Sequence, residues 1–246
     1  MGFGNRILGH PGETGRLDSR AAGAPGPRTG RRLRAGGGAL NCDPREAAQA
    51  LHMALAAARE LGFTPLREIT VDDIDFTFYG GADGFTAERI SALFHLEDDS
   101  GALFFPRVFT FEAESIESND AYAHLLRRMA EAAGTAEQFS EIHCDLHFGP
   151  HFAEDPVGEL HYVCSGEKVR RSIAVEGDWA DPDVIRKMLI DATPEGHRWV
   201  STSDYSIHAW VPEEDAEALV RVFAQEDAAA SERLYRQTEG RQRGRG

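Results

Sequence analysis

Apolar residues recur at the three- and four-residue spacing of an amphipathic helix in four parts of the chain, and residues that begin or end helices bound most of them. The first part follows Asp43 and Pro44, a capping residue and a helix-starting proline, with Glu46 completing a capping-box arrangement. Gly62 and Gly134 stand where the first two helices should end. The four predicted helices cover 44–61, 119–133, 182–192 and 213–223.

Between these helices, apolar and polar residues alternate with the two-residue period of a strand. The predicted strands cover 74–78, 90–96, 103–111, 140–148, 159–165, 168–176, 198–202 and 206–211. Turns at 98–101 and 165–167 indicate hairpins, and Pro106 indicates an edge or a bulge in its strand. We therefore predict an α+β fold with largely antiparallel sheets of short hairpin-connected strands and about four flanking helices.

Composition divides the chain into three parts. Residues 1–42 are rich in Gly, Arg and Pro and cannot bury an apolar face, so we expect a disordered basic tail. Residues 43–230 are expected to form a single acidic α+β domain, with a division into two lobes near Gly134 as the alternative. Residues 231–246 are expected to form a second basic tail, which is flexible.

The 246 residues carry a net charge of −15, and this charge is unevenly distributed. Residues 43–230 contain 37 acidic and 14 basic residues, a net charge of −23, whereas both ends of the chain are basic. Such a charge disfavours binding to nucleic acid or anionic lipid, and it favours solubility, adaptation to high salt, or attraction to a basic partner. No stretch approaches the roughly 18 consecutive apolar residues of a membrane helix. Three cysteines without a secretory signal favour a cytoplasmic protein.

Common catalytic motifs are absent from the sequence, including the phosphate-binding loop, the dinucleotide-binding glycine motif, the nucleophile elbow, HExxH and CxxC. The densest run of polar chemistry is the predicted strand 141–148. Because side chains alternate along a strand, His143, Asp145 and His147 should share one face, opposite a core face that includes Cys144.

A metal site is the most specific chemistry that this strand predicts. If the next strand pairs with it so that His147 faces His161, then His147, Asp145 and His161 could ligate zinc or another divalent ion. His143 and His151 would lie nearby. The alternative is a solvated polar face with scattered histidines and no cofactor.

The same pairing would place Cys144 opposite Cys164 in the core, where both are expected to be inert buried thiols. We expect Trp179, Trp199 and Trp210 to pack where strands meet helices. An interface is the alternative for Trp199 and Trp210, because tryptophan is enriched at binding hot spots.

Two functional hypotheses follow from the sequence. The first is a non-catalytic interaction or regulatory module that binds a cationic partner, such as a basic protein, because the body is strongly acidic and carries no enzyme motif. The second is a metal-dependent hydrolase, in which a metal on the 141–161 strands lowers the pKa of a bound water. The sequence favours the first hypothesis.

Overall fold

A computed structural model describes residues 42–98, 100–111, 116–148, 156–176, 179–203 and 206–243. Within these ranges the chain forms seven α-helices and two antiparallel three-stranded sheets, so the predicted α+β class is confirmed. The helices are α1 (Pro44–Glu60), α2 (Phe76–Tyr79), α3 (Ala82–Ala87), α4 (Arg89–Phe94), α5 (Ala121–Ala133), α6 (Pro182–Asp191) and α7 (Ala216–Arg243). The N-terminal segment predicted to be disordered lies, apart from Cys42, outside the described residues.

The six strands include all those predicted from residue 140 onward. They are β1 (Val108–Thr110), β2 (Phe139–His147), β3 (Val157–Cys164), β4 (Glu167–Ala174), β5 (His197–Ser201) and β6 (Ile207–Pro212). One sheet has the order β1–β6–β5 and the other the order β2–β3–β4. The β3–β4 turn holds Ser165 and Gly166 at φ values of 49° and 86°, the backbone of a tight two-residue hairpin.

Three of the predicted helices begin or end at the residues that the sequence indicated. Asp43 accepts a hydrogen bond from the backbone N–H of Arg45 at the start of α1. Asp181 accepts hydrogen bonds from backbone N–H groups in the first turn of α6. α5 ends at Gly134, whose φ of 74° is the left-handed conformation that glycine adopts without strain.

The predictions of strands at 74–78 and 90–96 are wrong, because both segments contain short helices. Asp75 accepts a hydrogen bond from the N–H of Phe78 and starts α2. In α4 the residues Ile90, Ala92, Leu93 and Phe94 are all buried. A short helix buried on several sides has no polar stripe, and its apolar run cannot be told from a strand by periodicity.

The predicted strand 103–111 is confirmed only at its end, as β1. The turn that precedes it is present, since Asp98 accepts hydrogen bonds from the N–H groups of Ser100 and Ala102. A single bridge between Glu97 and Leu103 replaces the predicted hairpin. Pro106 interrupts the segment, because proline has no backbone N–H to donate to a neighbouring strand.

The sheet β1–β6–β5 lies between two hydrophobic cores. On one face, Val200 and Ala209 pack into a first core together with α1 to α4 and the start of α7. On the other face, Phe109 and Trp210 pack into a second core together with α5, α6 and the sheet β2–β3–β4. Residues on both sides of Gly134 contribute to the second core. The sheet β2–β3–β4, whose strands are longer, therefore has one face in the second core and one face turned away from it.

The last helix extends well beyond the predicted segment 213–223. α7 continues to Arg243, so helix occupies most of the segment predicted as a flexible tail. Arg233 forms an ion pair of 2.6 Å with Glu88, and its guanidinium also donates to the carbonyl of Phe78. This anchor on the first core explains why the helix continues past residue 230. No helix of the described residues is long and apolar enough to cross a membrane.

Candidate functional site

The face of the sheet β2–β3–β4 that is turned away from the second core carries most of the predicted site residues, and we call it the outer face. Its members on β2 are exposed, while Leu146 between them is fully buried, which confirms the predicted alternation. By the same alternation, Lys168 and Arg170 on β4 also lie on this face. The other side chains that define the outer face are His143, Asp145, His147, Val157, Glu159, His161 and Ser172. They line an open groove of about 450 Å³.

The register between β2 and β3 differs from the one that the sequence analysis assumed. His143, and not His147, lies directly opposite His161, and Cys144 lies opposite Leu160. The pairing shifts between Ser140 and His143, where the strand bulges. Parity alone allows several registers that differ by two residues, and only the packing of the two strands selects among them.

The two facing imidazoles lie against each other. The ring centroids of His143 and His161 are 5.1 Å apart, and the ring planes differ by only 13°. Nε2 of His161 lies 3.1 Å from Oε2 of Glu159, the neighbour on the same face of β3. Nε2 of His147 lies 3.6 Å from Oδ2 of Asp145 in the same way on β2. Each strand thus presents a histidine next to a carboxylate.

Two carboxylates face each other across the strands beside the histidine pair. Asp145 lies directly opposite Glu159, and like charges in this position destabilise a sheet. A hydrogen bond from Arg170 on β4, with a further contribution from His161, holds the pKa of Glu159 below its usual range. Both groups are accessible to solvent. Glu159 is therefore already paired with a guanidinium, and Asp145 is the more exposed of the two carboxylates.

The metal site is not assembled as predicted. His147 is four residues along β2 from the position that faces His161, a distance of about 13 Å along the strand. A single ion cannot bind both of these side chains. Among the residues that the structure describes, no group of three or more His, Cys, Asp or Glu residues could hold a metal ion. His151, the further candidate ligand, lies outside the described residues.

The cysteines of the two strands are partly buried free thiols. Burial raises the pKa of both Cys144 and Cys164. Since the thiolate is the reactive form, this shift makes them poor nucleophiles, in agreement with the prediction that they are inert.

The three tryptophans behave differently from one another. Trp210 is fully buried and Trp199 packs partly against the second core, so neither is an exposed interface residue. The prediction that Trp179 packs in the core is wrong, because 49% of its surface is exposed. Trp179 forms an antiparallel bridge with Glu176 in the turn after β4. The bridge is a backbone pairing, and the Trp179 ring is partly accessible to solvent.

Sequence reasoning missed two features of this region. Glu159 has the same strand parity as His161 and could have been assigned to the outer face from that pattern. The second feature is a partly buried pair in the sheet β1–β6–β5, where Oγ of Ser201 lies 2.6 Å from Nδ1 of His208. Their spacing of seven residues across a hairpin gives no signal without the register. His208 is fully buried, so the pair has a structural position in the core.

Comparisons with protein-family models, with curated proteins and with solved structures give no match. The function is therefore argued from the chemistry of the outer face itself.

Proposed function

We propose that this protein is a non-catalytic interaction module that binds a basic segment of a partner protein on its outer face. The observation that carries the proposal is the pair Asp145 and Glu159, which lie directly opposite each other on adjacent strands. Arg170 already pairs with Glu159, so a further guanidinium or ammonium group would bind mainly at the more exposed carboxylate of Asp145. The exposed carboxylate of Asp145 and the acidic body together support a basic segment as the ligand.

The charge of the rest of the chain supports the same partner. Residues 43–230 carry a net charge of −23, which draws a basic partner towards the protein and speeds its association. Much of the chain's own positive charge is already used in ion pairs with its carboxylates. The arginines in such pairs are Arg67, Arg170, Arg171, Arg186, Arg198 and Arg233. Each pair also occupies one carboxylate, but the 37 acidic residues of 43–230 exceed its 14 basic residues, so a net acidic surface remains for a partner.

Exposed apolar groups near one end of the outer face provide anchoring contacts. Val157 is 57% exposed and faces Ala174 across the β3–β4 ladder. Trp179 follows on the turn after β4, beside Glu176. An aromatic ring next to carboxylates is the environment that attracts arginine and lysine side chains, and tryptophan is enriched among residues that dominate binding energy. A basic segment that extends past the end of β4 could therefore also contact Trp179.

The proposal is tested by titrating the full chain, in the presence of EDTA, with a fluorescent nona-lysine peptide and measuring anisotropy. The double variant Asp145→Asn/Glu159→Gln should weaken binding by about tenfold, which corresponds to about 1.4 kcal/mol. The matched control Glu68→Gln/Asp72→Asn removes the same charge from exposed positions in another part of the protein and should change binding less than about twofold.

Two results would contradict the proposal. Equal weakening by both double variants would mean that the peptide senses only net charge and that the outer face is not a site. Absence of binding by the wild-type chain at low salt would remove the cationic partner altogether. Trp179→Ala should weaken binding without altering its salt dependence, because the ring contributes contact area and no net charge.

A further inference from the structure

We propose that the outer face is a pH-sensitive binding surface, which holds a basic segment in mildly alkaline solution and releases it when its histidines gain protons. The inference rests on the proposed function and adds the way in which that binding is regulated. Its structural basis is the presence of three histidines, His143, His147 and His161, among the carboxylates of one face.

His147 lies next to the carboxylate that the basic segment needs. Its Nε2 is 3.6 Å from Oδ2 of Asp145, and both side chains are exposed. A neutral imidazole leaves the charge of Asp145 available to a lysine or arginine of the partner. A protonated imidazole at this distance forms an ion pair with Asp145 instead. His147 is therefore a competitor, within the protein itself, for the same carboxylate.

The second carboxylate, Glu159, is compensated from two directions. One of its oxygens accepts a hydrogen bond from Arg170, and Nε2 of His161 lies 3.1 Å from the other. Protonation of His161 thus adds a second cation to a carboxylate that already has one. The ring of His143 lies against that of His161, with centroids 5.1 Å apart, so its protonation adds a further positive charge at the same place. Neither step leaves room for a cation of the partner.

The charge balance of the face depends on these histidines. Among the described residues, the other charged side chains that share the face are two acidic and two basic ones, Asp145, Glu159, Lys168 and Arg170. Glu141, the other carboxylate of β2, lies in the bulge before His143 and lines a different groove. The two signs balance while the imidazoles are neutral, and three protons leave the face positive. Histidine is the side chain whose charge changes between about pH 5 and 8.

The test is the nona-lysine titration of the full chain at about pH 8 and about pH 6, which lie on either side of the titration of an ordinary imidazole. The lysines of the peptide keep their charge over this interval. The isoelectric point of the chain is about 5.1, so its overall charge stays negative as well. Two unit charges about 4 Å apart in water change an affinity by roughly fivefold. With His143 and His161 adding to the effect of His147, wild-type binding should weaken by at least about tenfold.

Two triple variants separate the outer face from the total charge. In His143→Gln/His147→Gln/His161→Gln, the affinities at the two pH values should differ by less than about threefold, because the competing imidazoles are gone. A matched control removes three exposed histidines from other parts of the chain, His52→Gln/His95→Gln/His124→Gln. This control should keep the pH dependence of the wild type.

Three outcomes would count against the regulation by pH. Wild-type binding that is equally tight or tighter at the lower pH would overturn it and leave the binding site in place. The same holds if both triple variants lose the pH dependence to the same extent, since the effect would then come from total charge. Absence of peptide binding by the wild type at both pH values would overturn the proposed function, and its regulation with it.

Discussion

Glu226 of α7 supplies a cap that α4 cannot provide for itself, and its removal should destabilise the protein. The carboxylate is 95% buried and accepts hydrogen bonds from the N–H groups of Ile90 and Ser91, at 2.9 and 2.8 Å. It also accepts one from the hydroxyl of Ser91. Glu88, at the N-cap position of α4, makes no side-chain capping bond. The contact thus joins the last helix to the first core.

The magnitude follows from the groups that would be left without acceptors. Glu226→Ala leaves two backbone N–H groups unsatisfied, each of which costs about 1–3 kcal/mol where water cannot reach. Removal of a buried carboxylate offsets part of this loss, because burial raises the pKa of Glu226 and so disfavours its charged form. We expect a net loss of about 3 kcal/mol in the free energy of unfolding. In a protein of this size that lowers Tm by roughly 6–12 °C.

The assay is urea denaturation of the full chain followed by circular dichroism, with a thermal melt as the second measurement. Gln225→Ala is the matched control, since Gln225 is the exposed neighbour on the same helix and its replacement by a good helix former should cost less than about 0.5 kcal/mol. A loss below about 1 kcal/mol for Glu226→Ala, or one equal to that of the control, would refute the capping argument.

The same residue makes a prediction about pH. Burial raises the pKa of Glu226 above the ordinary value of a glutamate in the folded state, so the folded chain holds this proton more tightly than the unfolded chain. Its contribution to stability is therefore fully present below about pH 4.5 and is lost as the pH rises through the raised pKa. The difference in unfolding free energy between wild type and Glu226→Gln should shift in favour of Gln from pH 4.5 towards neutrality. A difference that does not change over this interval would contradict the argument.

Two further substitutions test the larger sheet and the helix that packs on it. In Gly158→Ala the new Cβ would lie 2.1 Å from the carbonyl oxygen of Asp145, so β2 and β3 must separate. We expect the free energy of unfolding, measured by chemical denaturation, to fall by at least about 2 kcal/mol. Ser172→Ala is the control and should leave the free energy of unfolding nearly unchanged. Asp181→Ala removes the cap of α6 and the acceptor for the N–H of Ala174, and should cost about 1–2 kcal/mol. The exposed Asp183→Ala on the same helix serves as its control, and equal losses for the two would exclude the cap as the cause.

Local signals predicted the elements that carry their own boundaries. Asp43 and Gly134 begin and end helices because capping and left-handed backbone depend on the residue itself. The Ser165-Gly166 turn determined the β3–β4 hairpin for the same reason. The prediction of a strand around Ile90 was wrong because the burial of this segment comes from residues that are distant in sequence, including Glu226.

On the outer face, too, the sequence predicted some features and the tertiary structure decided others. Strand alternation alone placed His143, Asp145 and His147 on one side, and this holds in the structure. The partner of each residue across the ladder depended on the bulge between Ser140 and His143, which has no signature in the sequence pattern.

The sequence by itself determined the fold class, the strands after residue 140, the charge of the body and the side of β2 on which the polar residues lie. These properties depend on composition, on capping residues and on a period of two, all of which are local. The tertiary structure decided that Asp145 faces Glu159, that His143 faces His161 and that Trp179 is exposed. Registers two residues apart bury the same side chains, so only the packing of whole strands and helices selects among them.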